Sequence, residues 1–121
     1  MRRRCLIVDD SDAFLSSAAA LLDTQGMTVV GCARSSAEAL RMAAETNPEI
    51  VLVDVELGEE DGIALARHLT VENADLAVVL VSAHPLGDVA ELVAEAGAAG
   101  YLAKTALSAH AIEVICRRRG R

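Results

Sequence analysis

Aromatic side chains are almost missing from this sequence: there is no Trp, and one Tyr and one Phe make up 2% of 121 residues. No platform exists on which a cofactor or nucleobase could stack. The core must be built from Ala, Val, Leu and Ile, which suits helices packed on β-branched strands. Positive charge is also scarce. A formal charge of −7 argues against a nucleic-acid surface, because nonspecific binding needs a positive face to displace counterions. No direct nucleic-acid binding by this domain is expected. The basic residues gather at the two ends, Arg2 to Arg4 and Arg117, Arg118, Arg119 and Arg121. The second group reads as a solvated helix C-terminus whose cations complement the dipole.

Cysteine is sparse too. Cys5, Cys32 and Cys116 are odd in number and lack any Cys-x-x-Cys spacing, so neither a disulfide framework nor a zinc site is indicated. They read as small core or surface residues in a reducing compartment. The apolar run after Arg4 is too short for a signal peptide and ends in Asp9-Asp10, and no stretch approaches a membrane span. The expectation is a soluble, cytoplasmic protein with no membrane contact. A chain of this length with 53% hydrophobic residues can bury one core, so a single domain over 1–121 is expected.

What is present is an alternation. Unbroken apolar runs occur at Cys5 to Val8, Ile50 to Val53 and Ala77 to Val81, as in strands of a parallel sheet covered on both faces. Weaker runs, Thr28 to Cys32 and Ala99 to Leu102, read as edge strands. Between them Phe14, Ala18, Leu21 and Leu22 repeat at helical spacing, as do Val89, Leu92, Val93 and Ala96, and a last amphipathic helix carries Leu107, Ala111, Val114 and Ile115. Gly26, Asn47-Pro48 and Gly97 stand where helices should stop. Ser11 or Asp12 can cap the first helix, and Ser35 or Ser36 the second. Five βα units with right-handed crossovers imply an open, doubly wound α/β sandwich.

Polar residues then fall at the strand ends. Asp9 and Asp10 end the first strand, Asp54 the third and Ser82 the fourth, while Lys104, the sole lysine, lies beyond the fifth. In an open parallel sheet these positions share one edge, where ligands bind. Carboxylates converging there would repel by about 3 kcal/mol per pair at roughly 5 Å and an effective dielectric near 20. A hard divalent cation would compensate: carboxylate, carbonyl and water oxygens are what magnesium takes, and no His or Cys lies at these strand ends to favour zinc. Lys104 and the Ser82 hydroxyl could meet an anion beside the metal. Together these groups describe phosphoryl chemistry, with Asp54 as nucleophile. Taken alone, Asp9-Asp10 reads equally well as a helix-capping turn before Phe14.

The acidic pair Asp9-Asp10, "VLVDVELGEEDG" from Val51 to Gly62, "VVLVSA" from Val78 to Ala83 and "GAAGYLAK" from Gly97 to Lys104 together resemble the receiver domain of two-component response regulators over essentially the whole chain. "MTVVGCARSSAEAL" and Thr105 after Lys104 are similar to the receivers of LuxR-type transcription factors. The resemblance implies a flavodoxin-like, CheY-like (βα)5 fold with a five-stranded parallel sheet of order 2-1-3-4-5. It implies Asp54 as phosphoacceptor for a phosphoryl group from a sensor histidine kinase. Mg2+, or Mn2+, would be held by Asp9, Asp10, Asp54 and the Glu56 backbone carbonyl. Ser82 and Tyr101 would switch, and Lys104 would pair with the phosphoryl group. Glu56 and His84 would tune the lifetime of the acyl phosphate, although His84 reads equally as an exposed loop residue. Such a domain is no enzyme beyond its own phosphorylation and dephosphorylation. It would control an output domain or downstream partner, in transcription regulation, and could form a phosphorylation-dependent homodimer through its α4-β5-α5 face, with Ala90, Ala94 and Ala109 near the docking surface.

Three features depart from the common pattern. Gly58 replaces a frequent Pro, Thr105 replaces the Pro that often brings a cis peptide, and no helix-turn-helix follows within this chain, so either an output domain lies outside it or the protein works alone. Two other readings compete. One is a phosphorylation-independent interaction scaffold. The other is a haloacid dehalogenase-type phosphatase using Asp10-Ser11-Asp12, for which only Glu113 is available as a later acidic residue and which leaves Asp54 without a task. His68 and His110 fall on helical patterns and read as surface residues.

Overall fold

In the computed structural model, residues 2–119 are described. Five parallel strands, β1 (Arg4–Val8), β2 (Thr28–Ala33), β3 (Ile50–Asp54), β4 (Ala77–Ser82) and β5 (Gly100–Ala103), form one sheet of order β2-β1-β3-β4-β5. Helices α1 (Asp12–Thr24), α2 (Ser36–Thr46), α3 (Gly62–Glu72), α4 (Val89–Ala96) and α5 (Ala109–Arg119) follow the strands in turn. This is the doubly wound sandwich expected from the alternation. The central strands are buried along their length, as unbroken apolar runs require.

Strand parity divides the core. Leu6, Val8, Val51, Val53, Val78 and Leu80 face α2, α3 and α4, where they meet Ala39, Ile63, Ala66, Leu69 and Ala96. Their neighbours Cys5, Ile7, Ile50, Leu52, Ala77 and Val79 face α1 and α5, against Leu15, Ala18, Leu22 and Ile112. With almost no aromatics, both layers are aliphatic, and close helix approach comes from alanines.

Helix starts follow side-chain chemistry. The Ser11 and Ser35 hydroxyls accept the N–H groups of Phe14 and Glu38, each at 3.2 Å, and Asp61 and Asp88 cap α3 and α4 in the same way. Helix α5 has a long-range cap: Gln25 Oε1, at the end of α1, accepts the Ala109 N–H at 2.7 Å. Asn47 and Gly97 end α2 and α4 in the left-handed conformation.

Two helices turn differently from their sequence patterns. In α1, Leu15 is buried beside Ala18 and Leu22, and Leu21 is left 38% exposed. In α5 the innermost positions are Ala109 and Ile112 rather than Ala111 and Val114. Both segments carry apolar residues on more than one face, so spacing alone admits two phases, and the fit against the sheet selects one. Ala109 is consequently a core residue and not part of an exposed docking surface, while Ala90 and Ala94 are exposed.

Among the described residues no peptide bond is cis, so the Lys104–Thr105 bond is trans. No described helix is long and apolar enough to cross a membrane. Arg117 to Arg119 occupy the last turn of α5, and Arg121 lies outside the described residues.

Candidate functional site: an acidic recess at the strand ends

The register brings the polar residues together. Val8 pairs with Val53, Val53 with Leu80 and Leu80 with Tyr101, so Asp9 and Asp54 emerge side by side at the carboxyl edge. Among the described residues three polar side chains are buried, Asp9, Asp54 and Ser82, and all three stand here. A core that buries only these polar groups places its entire desolvation cost at one spot.

Asp9 Oδ1 accepts the Ser11 N–H at 2.9 Å. Its other oxygen, Oδ2, is sealed from solvent and has no hydrogen bond of proper geometry; its compensation is the Lys104 ammonium, 2.6 Å away. Lys104 projects from a single 3₁₀ turn (Lys104–Ala106) after β5 and also reaches Asp54 Oδ2 at 3.3 Å. Asp54 Oδ1 accepts the Glu56 N–H at 3.0 Å. The Phe14 ring centroid lies 4.3 Å from Lys104 Nζ.

Burial pushes the Asp54 carboxyl above its ordinary pKa, and the neighbouring Asp9 charge adds to this, against the Glu56 N–H and the Lys104 cation. For Lys104 burial acts downward, but the contact with Asp9 and the charges of Asp54 and Asp9 prevail, so its ammonium is held more firmly than usual.

Asp10 is exposed and stands at the rim. Asp9, Asp10 and Asp54 each offer one oxygen, all within 4.8 Å of one another. Three carboxylates against one ammonium leave two formal negative charges. An all-oxygen donor set with that deficit fits a hard divalent cation. Asp10, Asp54, Glu56, Gly58, Ala83, His84 and Lys104 line a recess of about 290 Å³ above this cluster. A larger recess, about 340 Å³, opens elsewhere between Arg3, Glu49, Cys116 and Arg119. Its cations are already engaged, Arg3 with Glu49 and Glu113 and Arg119 with the Ala74 and Asp75 carbonyls, so it offers no comparable chemistry.

Ser82 Oγ donates to the His84 carbonyl at 3.0 Å and accepts the His84 N–H at 3.1 Å. His84 itself is exposed at the recess. Tyr101 lies apart from the carboxylates, half-buried against the core of the α2-α3-α4 face. His68 and His110 are exposed, and His68 meets Glu72 at 3.0 Å. Glu113, the later acidic residue a phosphatase would need, is engaged by Arg3.

Two supports of the site lie beyond what spacing reveals. Glu56–Leu57 and Glu60–Asp61 pair as a miniature antiparallel hairpin, turned by Gly58 at φ +60°, where a Cβ would come 3.3 Å from Asp10 Oδ2. Gly62 opens α3 directly behind the acidic cluster: a Cβ there would fall 1.9 Å from the Asp54 carbonyl oxygen. The pair Asp61-Gly62, a cap followed by a residue without a side chain, is the sequence signal for this close approach. The Phe14–Lys104 contact has no local signal, since 90 residues separate the partners.

Comparison with known proteins agrees with this geometry. The response regulator receiver domain family matches residues 5–115. Response regulator GacA of Pseudomonas viridiflava is 35% identical over 113 residues, 93% of this chain and 53% of that protein. The transcriptional regulatory protein LiaR of Bacillus subtilis is 31% identical, over 93% of this chain and 54% of its own length. The chain thus spans about half the length of these curated relatives. Among solved structures, a LuxR-family two-component response regulator from Aurantimonas sp. SI85-9A1 superposes with a TM-score of 0.85 at 28% identity, covering 99% of this chain and 86% of that one. A response regulator from Thermotoga maritima gives 0.81 at 25% identity over the whole of both chains. With its fold, its buried acidic cluster and this match over nearly all its length, the chain belongs to the response regulator receiver domain family, the signalling domain of two-component systems.

Proposed function

We propose that Asp54 is the phosphoacceptor of a two-component phosphorelay, taking a phosphoryl group from a phosphohistidine on a sensor histidine kinase. The observation that carries this reading is the buried Asp54 carboxylate held between the Glu56 N–H and the Lys104 ammonium at the floor of an open recess. A carboxylate oxygen attacks phosphorus; the phosphorus–nitrogen bond breaks, and the imidazole nitrogen leaves with the electron pair. Lys104 neutralises charge on the transferred oxygens. Asp9, Asp10 and Asp54, with the Glu56 carbonyl, would hold Mg2+ or Mn2+, which when bound screens charge between nucleophile and phosphoryl group.

Added charge on Asp54 favours an arrangement in which the Ser82 hydroxyl leaves the His84 backbone and turns toward the phosphoryl oxygens, with Tyr101 following. Such a ligand shifts the equilibrium only by its difference in affinity for the two arrangements. The readout is the face made by α4, β5 and α5, which would act on an output domain or partner, or pair with a second copy. Transcriptional output is supported by the relatives named as transcriptional regulatory proteins. The chain is also similar to part of a protein-glutamate methylesterase/protein-glutamine glutaminase of Hahella chejuensis, 35% identical over 95 residues and 27% of that protein's length. The role taken here is the signalling one, with no chemistry beyond the domain's own phosphorylation and dephosphorylation, in a single domain over 1–121.

The test is intact-mass measurement after incubation with magnesium and acetyl phosphate, beside an Asp54→Asn control. One added phosphoryl group that needs magnesium and vanishes in the control supports the reading. No addition, with a histidine kinase donor tried as well, transfers the case to an interaction scaffold that works without phosphorylation.

A further inference from the structure

We infer that Phe14 is a positioning residue for Lys104, its ring face completing the ammonium's coordination. This rests on the proposed phosphoacceptor role for the part that concerns rate. The chain has one Phe and one Lys, and the fold sets them 4.3 Å apart, centroid to Nζ. An ammonium carries three N–H donors. The carboxylates of Asp9 and Asp54 approach it at 2.6 Å and 3.3 Å, and the π face of Phe14 supplies a third attractive direction. The side chain is only 17% exposed, so water does little of this work.

A four-carbon stem ending in a compact charge is flexible, and two carboxylates do not by themselves hold it in one place. The ring face under Nζ adds a further contact that restricts it. Its own placement is tied to the site, because the Ser11 hydroxyl that caps Phe14 N–H belongs to the residue whose N–H is accepted by Asp9. Phe14 and Lys104 also line a shallow apolar groove with Ser17, Leu21, Thr105 and Leu107. Lys104 is the residue this groove shares with the acidic recess, so the ring meets the lysine from the groove's side.

A merely space-filling ring would make the same contacts with Leu, so the test must vary the π face at constant shape. Because Phe occurs once, growth on 4-fluoro- or 3,4,5-trifluoro-phenylalanine alters position 14 alone. Phosphoryl uptake from acetyl phosphate with magnesium is expected to fall stepwise with fluorination, reaching about fivefold for the trifluoro ring. Phe14→Leu is expected to fall at least as far, and Phe14→Tyr to stay within about twofold of the parent, since its ring keeps the attractive face. Uptake independent of fluorination, or Phe14→Leu at the parent rate, overturns the inference. A second readout needs no phosphorylation: the single 19F resonance of the 4-fluoro protein should move on Lys104→Gln. An unmoved resonance overturns the contact itself. If the parent takes up no phosphoryl group, the phosphoacceptor reading fails while this resonance still decides the position of Lys104.

Discussion

Replacing Asp54 by Asn should stabilise the metal-free domain even though it removes an ion pair. Asp54 is 5% exposed, with Lys104 at 3.3 Å and an oxygen of Asp9 within 4.8 Å. At an effective dielectric of about 20 the Lys104 contact contributes roughly 5 kcal/mol, and repulsion from Asp9 offsets at least about 3.5 of it. Asp10, exposed and better screened, offsets about 1 kcal/mol more. The small remainder does not cover the several kcal/mol lost when a carboxylate leaves water. Asn keeps an acceptor for the Glu56 N–H, and Lys104 keeps Asp9. The expected gain in EDTA at pH 7 is about 1 to 2 kcal/mol, or about 4 to 8 °C in Tm for a domain of this size. The pH dependence has a definite sign. The folded state raises the Asp54 pKa, so it holds that proton to higher pH than the unfolded chain, whose value is about 4. Parent stability therefore falls as pH rises from the unfolded toward the folded value, and the variant's advantage opens there and closes at lower pH. Magnesium should stabilise the parent more than the variant. With no Trp in the chain, urea unfolding is best followed by far-ultraviolet circular dichroism. A variant less stable in EDTA, or equal magnesium stabilisation of both proteins, would refute the electrostatic account.

Other consequences can be checked as directly. Gly62→Ala puts a methyl group 1.9 Å from the Asp54 carbonyl oxygen and should cost about 3 kcal/mol or more, read as a lowered urea midpoint; a shift below 1 kcal/mol would show that α3 moves freely. Burial pushes the Cys5 thiol up to about 12, so iodoacetamide at pH 8 should label at most Cys32 and Cys116 in the folded protein, and rapid labelling of Cys5 by peptide mapping would contradict the packing. The same group makes stability fall as pH rises above about 9, where the unfolded thiol ionises and the folded one does not. Replacing Glu56 or His84, both at the recess above Asp54, should change the decay rate of the phosphorylated protein; an unchanged rate removes them from the path of the attacking water.

Strand positions are legible in this sequence because a buried parallel strand cannot afford a polar residue on either face, and Ile50 to Val53 shows none. The acidic cluster is legible for a related reason: a carboxylate that ends such a run sits at an edge the topology already defines. Helix rotation is less so. Leu15 and Leu21 differ little in spacing from their neighbours, and only the shape of the sheet decides that the first goes in and the second out. The hairpin at Gly58 and the approach of Gly62 to Asp54 depend on backbone geometry, and the meeting of Phe14 with Lys104 depends on assembly of the whole domain. Local pattern marks the first only through the pair Asp61-Gly62 and holds no record of the second.

The close approach at Gly62 also determines where motion can go. Asp54 ends a strand paired on both sides, and its carbonyl is braced from behind by the first residue of α3. A group added to the carboxylate finds no room for the backbone beneath it to recoil. The opposite wall is different: Ala83, His84 and Pro85 are exposed, and Ser82 is held there by two hydrogen bonds to a single loop residue. The recess has one side braced by backbone contact and one held by two hydrogen bonds to a loop, so a group added at Asp54 would meet least resistance toward the β4–α4 loop.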